Sequence, residues 1–208
     1  MPKDGNITRA RILEETHNLV NNQGFSGTSI DHILERSGIT KGAFFYHFKS
    51  KQALAKALME DFARKDMDEL QKLLLEYKKK KDPLEGFLHM LDLFIKMMKK
   101  MDQPHEGCLY AAYGYEPGQF DSSIKTIIQK AMNEWTIEIE KILDAILARY
   151  EPALPIDKHA LAEQMGVIAE GSFIYEKTMN KAGITAAQVQ HLRNYIVLLF
   201  AGPGKDRV

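Results

Sequence analysis

The sequence has little of the chemistry that marks a secreted, membrane-bound or metal-dependent protein. Cys108 is its single cysteine, which excludes an intrachain disulfide and any zinc site built from several cysteines. No run of about 18 uncharged apolar residues is present, so we expect no membrane-spanning helix and no membrane partner. Residues 1–11 are polar and lack the apolar core of a secretory signal. We therefore expect a cytoplasmic protein.

The chain also has no excess of charge of either sign, because 28 Lys and Arg balance 28 Asp and Glu. Taken alone, this balance argues against a nucleic-acid partner. The distribution is uneven, however. Residues 1–56 carry eight Lys and Arg against five Asp and Glu, so a mildly basic N-terminal part precedes a mildly acidic remainder. This asymmetry is small and gives only limited support for DNA binding.

Hydrophobic periodicity predicts helices along almost the whole chain and no strand. Apolar side chains recur every three or four residues, most regularly from Ile124 to Ile146. Gly24 and Gly38 are expected to end the first and second helices, and residues 104–118 are less regular. The expected N-caps of the second, third and fourth helices are Thr28, Thr40 and Ser50. The sequence predicts an all-α fold.

Two short predicted helices, joined by a glycine-containing turn at residues 37–39, meet the requirement for a helix-turn-helix. Gly38 can adopt the positive φ that lets the chain reverse. The second of these helices begins with Thr40, Lys41, Gly42 and Ala43, which are small or cationic. Such residues allow the backbone to approach a DNA major groove closely.

These residues carry a resemblance to a known family. Gly24-Phe25, Thr28-Ser29-Ile30, Ile33 and the segment SGITKGAFFYHFKSKQAL at residues 37–54 resemble the DNA-binding domain of the tetracycline-repressor (TetR) family. The resemblance covers about residues 6–56. It implies an N-terminal three-helix helix-turn-helix DNA-binding domain, residues 1–50. A larger helical domain for effector binding and dimerisation, residues 51–208, would follow.

The resemblance also implies roles for matching positions. Contacts with DNA phosphates would come from Thr28, Ser29, Tyr46, His47 and Lys51. Contacts with base edges would come from Lys41, Gly42 and Ala43, after Thr40. Phe45 departs from the family pattern, in which tyrosine is common, so we expect it to pack rather than bind a phosphate. An ordinary exposed surface is the alternative for Tyr46, His47 and Lys51.

Beyond residue 56 the resemblance lies only in the layout of helices. It implies a homodimer formed through the last two helices, a palindromic double-stranded operator, a repressor function and an unidentified small-molecule effector. A fully buried last helix in a monomer is the alternative to the dimer. The candidate effector-binding residues are apolar, aromatic or isolated polar side chains: Cys108, Met90, Tyr110, Tyr113, Trp135 and Glu170.

Cys108 has two interpretations, as a reactive sensor near a helix N-terminus or as a small buried hydrophobe. His89 and His105 show no i, i+4 ligand spacing, so we expect no metal site and no cofactor. Two alternatives to an effector-released repressor stay open. One is a DNA-binding interaction module without an effector. The other is an enzyme using Cys108 with one of these histidines, for which no orienting group or oxyanion hole stands out; we expect no enzyme activity.

Overall fold

The regular elements of the chain are helical throughout residues 2–104 and 107–200, which are the residues that the computed structural model describes. This confirms the predicted all-α class. None of the helices in these ranges is long and apolar enough to cross a membrane. The helices are α1 (Pro2–Gly27), α2 (Ile30–Ser37), α3 (Lys41–His47), α4 (Lys51–Lys78), α5 (Pro83–Lys99), α6 (Leu109–Tyr115), α7 (Ser122–Leu147), α8 (Lys158–Met179) and α9 (Ile184–Phe200).

The start of α2 differs from the prediction. Gly24 interrupts α1 with φ 75° and ψ 168°, as expected for a glycine that ends a helix. Ser29, not Thr28, is the N-cap of α2, because the Ser29 hydroxyl accepts the His32 N–H. The side chain of Thr28 is buried and donates to the Gly24 carbonyl at 2.8 Å. Thr28 therefore stabilises the preceding turn instead of capping the helix.

Other helix starts follow the predicted capping chemistry. Thr40 Oγ1 accepts the Ala43 N–H at 3.2 Å, and Ser50 Oγ accepts the Ala53 N–H at 3.1 Å. Asp82 accepts the N–H groups of Leu84 and Glu85 at the start of α5. These side chains satisfy N–H groups that have no partner within the helix.

The segment predicted to be irregular, residues 104–118, is more ordered than expected where it is described. It contains α6 and a single 3₁₀ turn, Pro117–Gln119. Leu109 is buried in this segment, with 1% of its surface exposed. A helix of only seven residues offers too few turns for its periodicity to be recognised in the sequence.

The chain divides into two compact units. The first contains Met1–Asp66 and Glu106–Lys130, and the second contains Met67–His105 and Ala131–Val208. In the first unit α1 packs on α2 and α6, and its core includes the buried side chains Ile12, Phe25, Ile33, Phe44, Leu54 and Ile124. The predicted functional boundary at residue 50 stays a prediction, since contacts rather than function define these units.

The second unit has one continuous hydrophobic core. α9 packs on α5 and α8, and its side chains Val189, Leu192, Ile196 and Leu199 are buried in this core. Leu91 and Leu143 are fully buried in the same core. Burying side chains of this size stabilises a fold by about 1.5–3 kcal/mol each, so this core accounts for the order of the unit.

Candidate nucleic-acid interface

The turn between α2 and α3 has the geometry of a helix-turn-helix. Gly38 adopts φ 63° and ψ 32°, the left-handed conformation that the sequence predicts for it. Its N–H donates to the Glu35 carbonyl at 3.4 Å, and the Ile39 N–H donates to the Leu34 carbonyl at 3.3 Å. Thr40 then caps α3. The chain reverses within three residues, so both short helices are held at defined ends.

One side of this pair of helices is anchored in the first unit. Ile33 on α2 and Phe44 on α3 have no exposed surface, and Phe48 is 3% exposed. Phe45 lies at the edge of this cluster, 36% exposed, with its ring edge-on to Phe44 at 5.3 Å between centroids. This position agrees with partial packing of Phe45. The buried aromatic side chains fix how α3 is rotated about its own axis.

The opposite side of α3 faces solvent. Thr40, Lys41 and Gly42 are exposed, Ala43 and His47 are half-buried, and Tyr46 is 78% exposed. A Cβ placed on Gly42 would meet only Thr40 Oγ1, at 4.0 Å. Packing within the chain therefore does not require glycine at this position, whereas close approach of another molecule would require it. Ser29 is also exposed, at the start of α2.

Two of the predicted phosphate contacts disagree with the structure. Thr28 has no exposed side-chain surface, so its hydroxyl cannot reach a phosphate in this conformation. Lys51 is directed inward: its Nζ donates to the Phe25 carbonyl at 2.6 Å and lies 4.2 Å from the centre of the Phe25 ring. Burial lowers the pKa of Lys51, and the nearby Glu116 carboxylate opposes this shift. In this structure both Thr28 and Lys51 make contacts within the protein instead of offering their side chains to a phosphate.

The structure brings a carboxylate, Glu116, to the turn between α1 and α2. Glu116 Oε1 accepts the Phe25 N–H at 3.0 Å, and Oε2 accepts the Ser26 N–H at 3.0 Å as well as the Ser26 hydroxyl. We call this set of contacts the Glu116 clasp. The hydrogen bond from the Ser26 hydroxyl lowers the pKa of Glu116 most; partial burial opposes it, and the two backbone N–H groups and Lys51 add to the lowering.

Further contacts of the residues just after Glu116 support the clasp. Gln52 Nε2 donates to the Gln119 carbonyl at 2.7 Å, and the rings of Phe25 and Phe120 lie 4.7 Å apart between centroids. The sequence pattern alone gives no reason to expect Glu116 at this turn. No local signal could have placed it here, because about 90 residues separate it from Ser26.

The candidate effector residues fall in both units. In the first, Tyr110 donates its hydroxyl to Asp66 at 3.0 Å, and Tyr113 packs near Phe120. In the second, Met90 is fully buried and Trp135 packs against the hydrophobic core, while Glu170 is half-buried on α8. These contacts are those of ordinary packing, and a role in effector binding stays a prediction for each of these residues.

Cys108 is the N-cap of α6, near a helix N-terminus as expected, and it is 9% exposed. Its burial favours the interpretation as a small hydrophobe over that of a reactive sensor. His89 Nε2 lies 3.7 Å from Glu76 Oε2. His105 lies outside the described residues. Within residues 2–104 and 107–200, no group of three or more His, Cys, Asp or Glu is arranged to hold a metal ion.

The described residues form helices, and two of them, α2 and α3, form a helix-turn-helix. Because α3 is anchored on one side and exposed on the other, these features define the class of helix-turn-helix proteins. Residues 12–58 match the family described as bacterial regulatory proteins of the tetR family. The match covers the helix-turn-helix and the start of α4, and it supports a DNA-binding transcriptional regulator of the TetR family.

Individual relatives agree with this assignment. An HTH-type transcriptional regulator from the lacX 3' region of Lactococcus lactis subsp. lactis is 25% identical over 139 residues, 67% of this chain and 69% of the relative. The HTH-type transcriptional regulator AcrR of Shigella flexneri is 36% identical over 91 residues, 41% of this chain and 40% of that protein. A TetR-family regulator from Agrobacterium tumefaciens shares the fold, with a TM-score of 0.76, 17% identity and coverage of 91% and 97% of the two chains.

The Glu116 clasp leads to a prediction about acid stability. Folding lowers the pKa of Glu116 from its ordinary value of 4.5. The ionised carboxylate therefore stabilises the fold at every pH above 4.5, and this contribution is lost as the pH falls through the lower pKa of the folded state. We expect Glu116→Gln to lower the free energy of unfolding by about 1 kcal/mol at pH 7. The difference from the unmodified protein should shrink below about pH 4.5. Urea unfolding followed by circular dichroism across this range measures it.

The matched control is Glu69→Gln. Glu69 is exposed on α4 and pairs only within its own helix, with Lys72, so its removal should cost less than about 0.5 kcal/mol at any pH. Equal stability of Glu116→Gln and the unmodified protein at pH 7 would contradict the stabilising role of the clasp.

Proposed function

We propose that the protein is a homodimeric repressor whose α3 helices enter the major groove at the two halves of a palindromic operator. The observation that carries this proposal is the division of α3 into two sides. Phe44 is fully buried, while Lys41, Gly42 and Tyr46 face solvent. A recognition helix needs this division, because the buried side fixes its orientation and the exposed side contacts DNA.

The proposed contacts separate by chemistry. Lys41, Gly42 and Ala43 in the first turn of α3 approach base edges, and Thr40 lies beside them. Ser29, Tyr46 and His47 bind phosphates, which position the protein but carry no sequence information directly. Tyr46 supplies the hydroxyl that the neighbouring Phe45 lacks. With so few base contacts, the shape and deformability of the operator contribute to its recognition.

The proposed dimer forms through α8 and α9. On α8 the exposed apolar residues Val167, Ile174 and Tyr175 fall on one helical stripe, with exposed fractions of 69%, 39% and 58%. On α9 Tyr195 and Leu198 are also exposed, Leu198 at 62%. Contiguous exposed apolar surface of this kind marks association sites. A twofold dimer would present two α3 helices about 34 Å apart, which is one turn of duplex.

The proposal places effector recognition in the part of the chain that follows the helix-turn-helix. An effector releases the operator only if it binds the conformation with low DNA affinity more tightly. Cys108, Tyr110 and Tyr113 in the first unit, and Met90, Trp135 and Glu170 in the second, remain the candidate contacts. A cytoplasmic location is part of the same proposal, because the operator is chromosomal DNA.

Selection of bound sequences from a random pool of duplexes, with the purified full chain, tests the function directly. We expect a palindromic sequence whose affinity falls as the salt concentration rises, because phosphate contacts release counterions. Metabolites that weaken binding to this sequence would identify the effector class. Recovery of no common sequence by a folded dimer would contradict the proposal and favour an interaction module that does not read sequence.

Lys41→Ala and Gly42→Ala separate DNA contact from folding. We expect Lys41→Ala to weaken operator binding by about tenfold, as a lost base or phosphate contact of 1–3 kcal/mol implies. Gly42→Ala should also weaken binding, yet raise the free energy of unfolding by up to about 1 kcal/mol, because alanine is the better helix former. Lys72→Ala, which removes an exposed lysine from the second unit, is the control. If both variants bind the operator as tightly as the unmodified protein does, then neither Lys41 nor Gly42 contacts DNA.

Leu198→Glu tests the dimer face. A charge placed on this exposed side chain should leave the monomer folded but disfavour burial against a second copy, so sedimentation equilibrium should show a shift from dimer to monomer. Leu154→Glu replaces a leucine of similar exposure, 58%, in the loop before α8, and should not change the mass. A monomeric unmodified protein, or a dimeric Leu198→Glu variant, would contradict the proposed interface.

A further inference from the structure

The second unit carries a shallow cleft of about 290 Å³ whose lining is largely cationic. The end of α4, the start of α5 and the end of α7 surround it. We call it the basic cleft and define it by its lining residues: Tyr77, Lys78, Lys80, Lys81, Pro83, Ala145 and Arg149. The cationic members come from two separate parts of the chain, so the run of lysines alone does not form it.

The lysines of the cleft are not neutralised by neighbouring carboxylates. Within the described part of the chain, Lys78, Lys80 and Lys81 take part in no ion pair with Asp or Glu. Lys79, in the middle of the same run, differs from them: it pairs with Glu76 and does not line the cleft. The structure therefore divides one lysine run into a paired residue and three that are free to attract an anion.

The carboxylate closest to the cleft, that of Asp82, is engaged in other contacts. Its Oδ1 accepts the N–H groups of Leu84 and Glu85, and its Oδ2 accepts the Tyr150 hydroxyl at 2.7 Å. Arg149 Nη1 forms an ion pair with Oδ2 at 3.7 Å and donates to the Lys81 carbonyl at 3.4 Å. Asp82 thus reduces the local positive charge by one but leaves most of the cationic groups available.

A simpler explanation is that these lysines complement the dipole of α4, whose last residue is Lys78. That explanation accounts for one or two cations in the last turn of a helix. It does not account for Arg149, which comes from the end of α7 and lines the same concave surface. Four cationic side chains around one cleft exceed what a single helix end requires.

We propose that the basic cleft binds a small multivalent anion of the oligophosphate class. The guanidinium of Arg149 matches phosphate oxygens in a fork, and the lysines act as point charges around it. The volume lies at the lower end of the range for small-molecule sites, about 300–1,000 Å³. Tyr77, Pro83 and Ala145 supply an apolar part of the lining. Because the cleft is open to solvent, binding weakens as salt is added.

Titration calorimetry of the full chain with pyrophosphate at low ionic strength tests this site. We expect saturable binding that weakens by about tenfold in the double variant Lys80→Gln/Lys81→Gln, since each removes a charge from the cleft. This variant leaves Asp82 and its contacts unchanged. Lys79→Gln removes the same charge from the neighbouring paired lysine and should alter affinity by less than about twofold. Circular dichroism checks that each variant is folded.

Three results would overturn the proposal. The first is the absence of saturable pyrophosphate binding by the unmodified protein. The second is equal weakening by Lys79→Gln and by the double variant, which would mean general attraction to a basic surface. The third is citrate binding as tightly as pyrophosphate, which would exclude the oligophosphate assignment. Operator binding is measured separately, so each outcome stands apart from the proposed regulatory function.

Discussion

The turn that leads into the helix-turn-helix depends on a carboxylate supplied from a distant part of the sequence. Gly24 turns the chain with a positive φ, which leaves the N–H groups of Phe25 and Ser26 without helical partners. Glu116 accepts both. A Cβ on Gly24 would lie 2.5 Å from Glu116 Oε1, so a side chain at this position would displace the carboxylate. Because α2 begins only a few residues after this turn, with Ser29 as its N-cap, the contact helps to fix where the helix-turn-helix begins.

In the same unit, the buried apolar side chains determine which polar side chains are exposed. Ile33 and Phe44 are fully buried, and Gly38 sets the angle at which one short helix leaves the other. Once Phe44 is fixed inward, the helical period places Gly42 and Tyr46 on the opposite face; Lys41, in the first turn, is also exposed. No strongly basic composition is needed for this, so a chain with no net charge still presents a cation and a hydroxyl on the exposed surface of α3.

The features that sequence reasoning predicted correctly are local ones. The glycine turn at Gly38 and the cap at Thr40 follow from backbone conformation and capping chemistry. The predictions are wrong for residues whose surroundings are formed by parts of the chain that are distant in the sequence. Thr28 and Ser29 are equally suitable caps, and burial of Thr28 settled the choice in favour of Ser29. Lys51 has the position of a phosphate contact, but the Phe25 carbonyl lies within its reach. Glu116 has no local signature, because its partners are about 90 residues away in the sequence.

Whether a charged side chain can attract a partner depends on its surroundings in the fold. The lysine run at residues 78–81 is uniform in sequence, yet Lys79 pairs with Glu76 and the other three line one cleft with Arg149. Lys51 is likewise a cation in the sequence and a hydrogen-bond donor to a carbonyl in the fold. Solvent and salt screen a paired surface charge almost completely, whereas several unpaired charges around a concave surface reinforce one another. The net charge of a chain therefore says little about its anionic partners, and the pairing of individual lysines says much more.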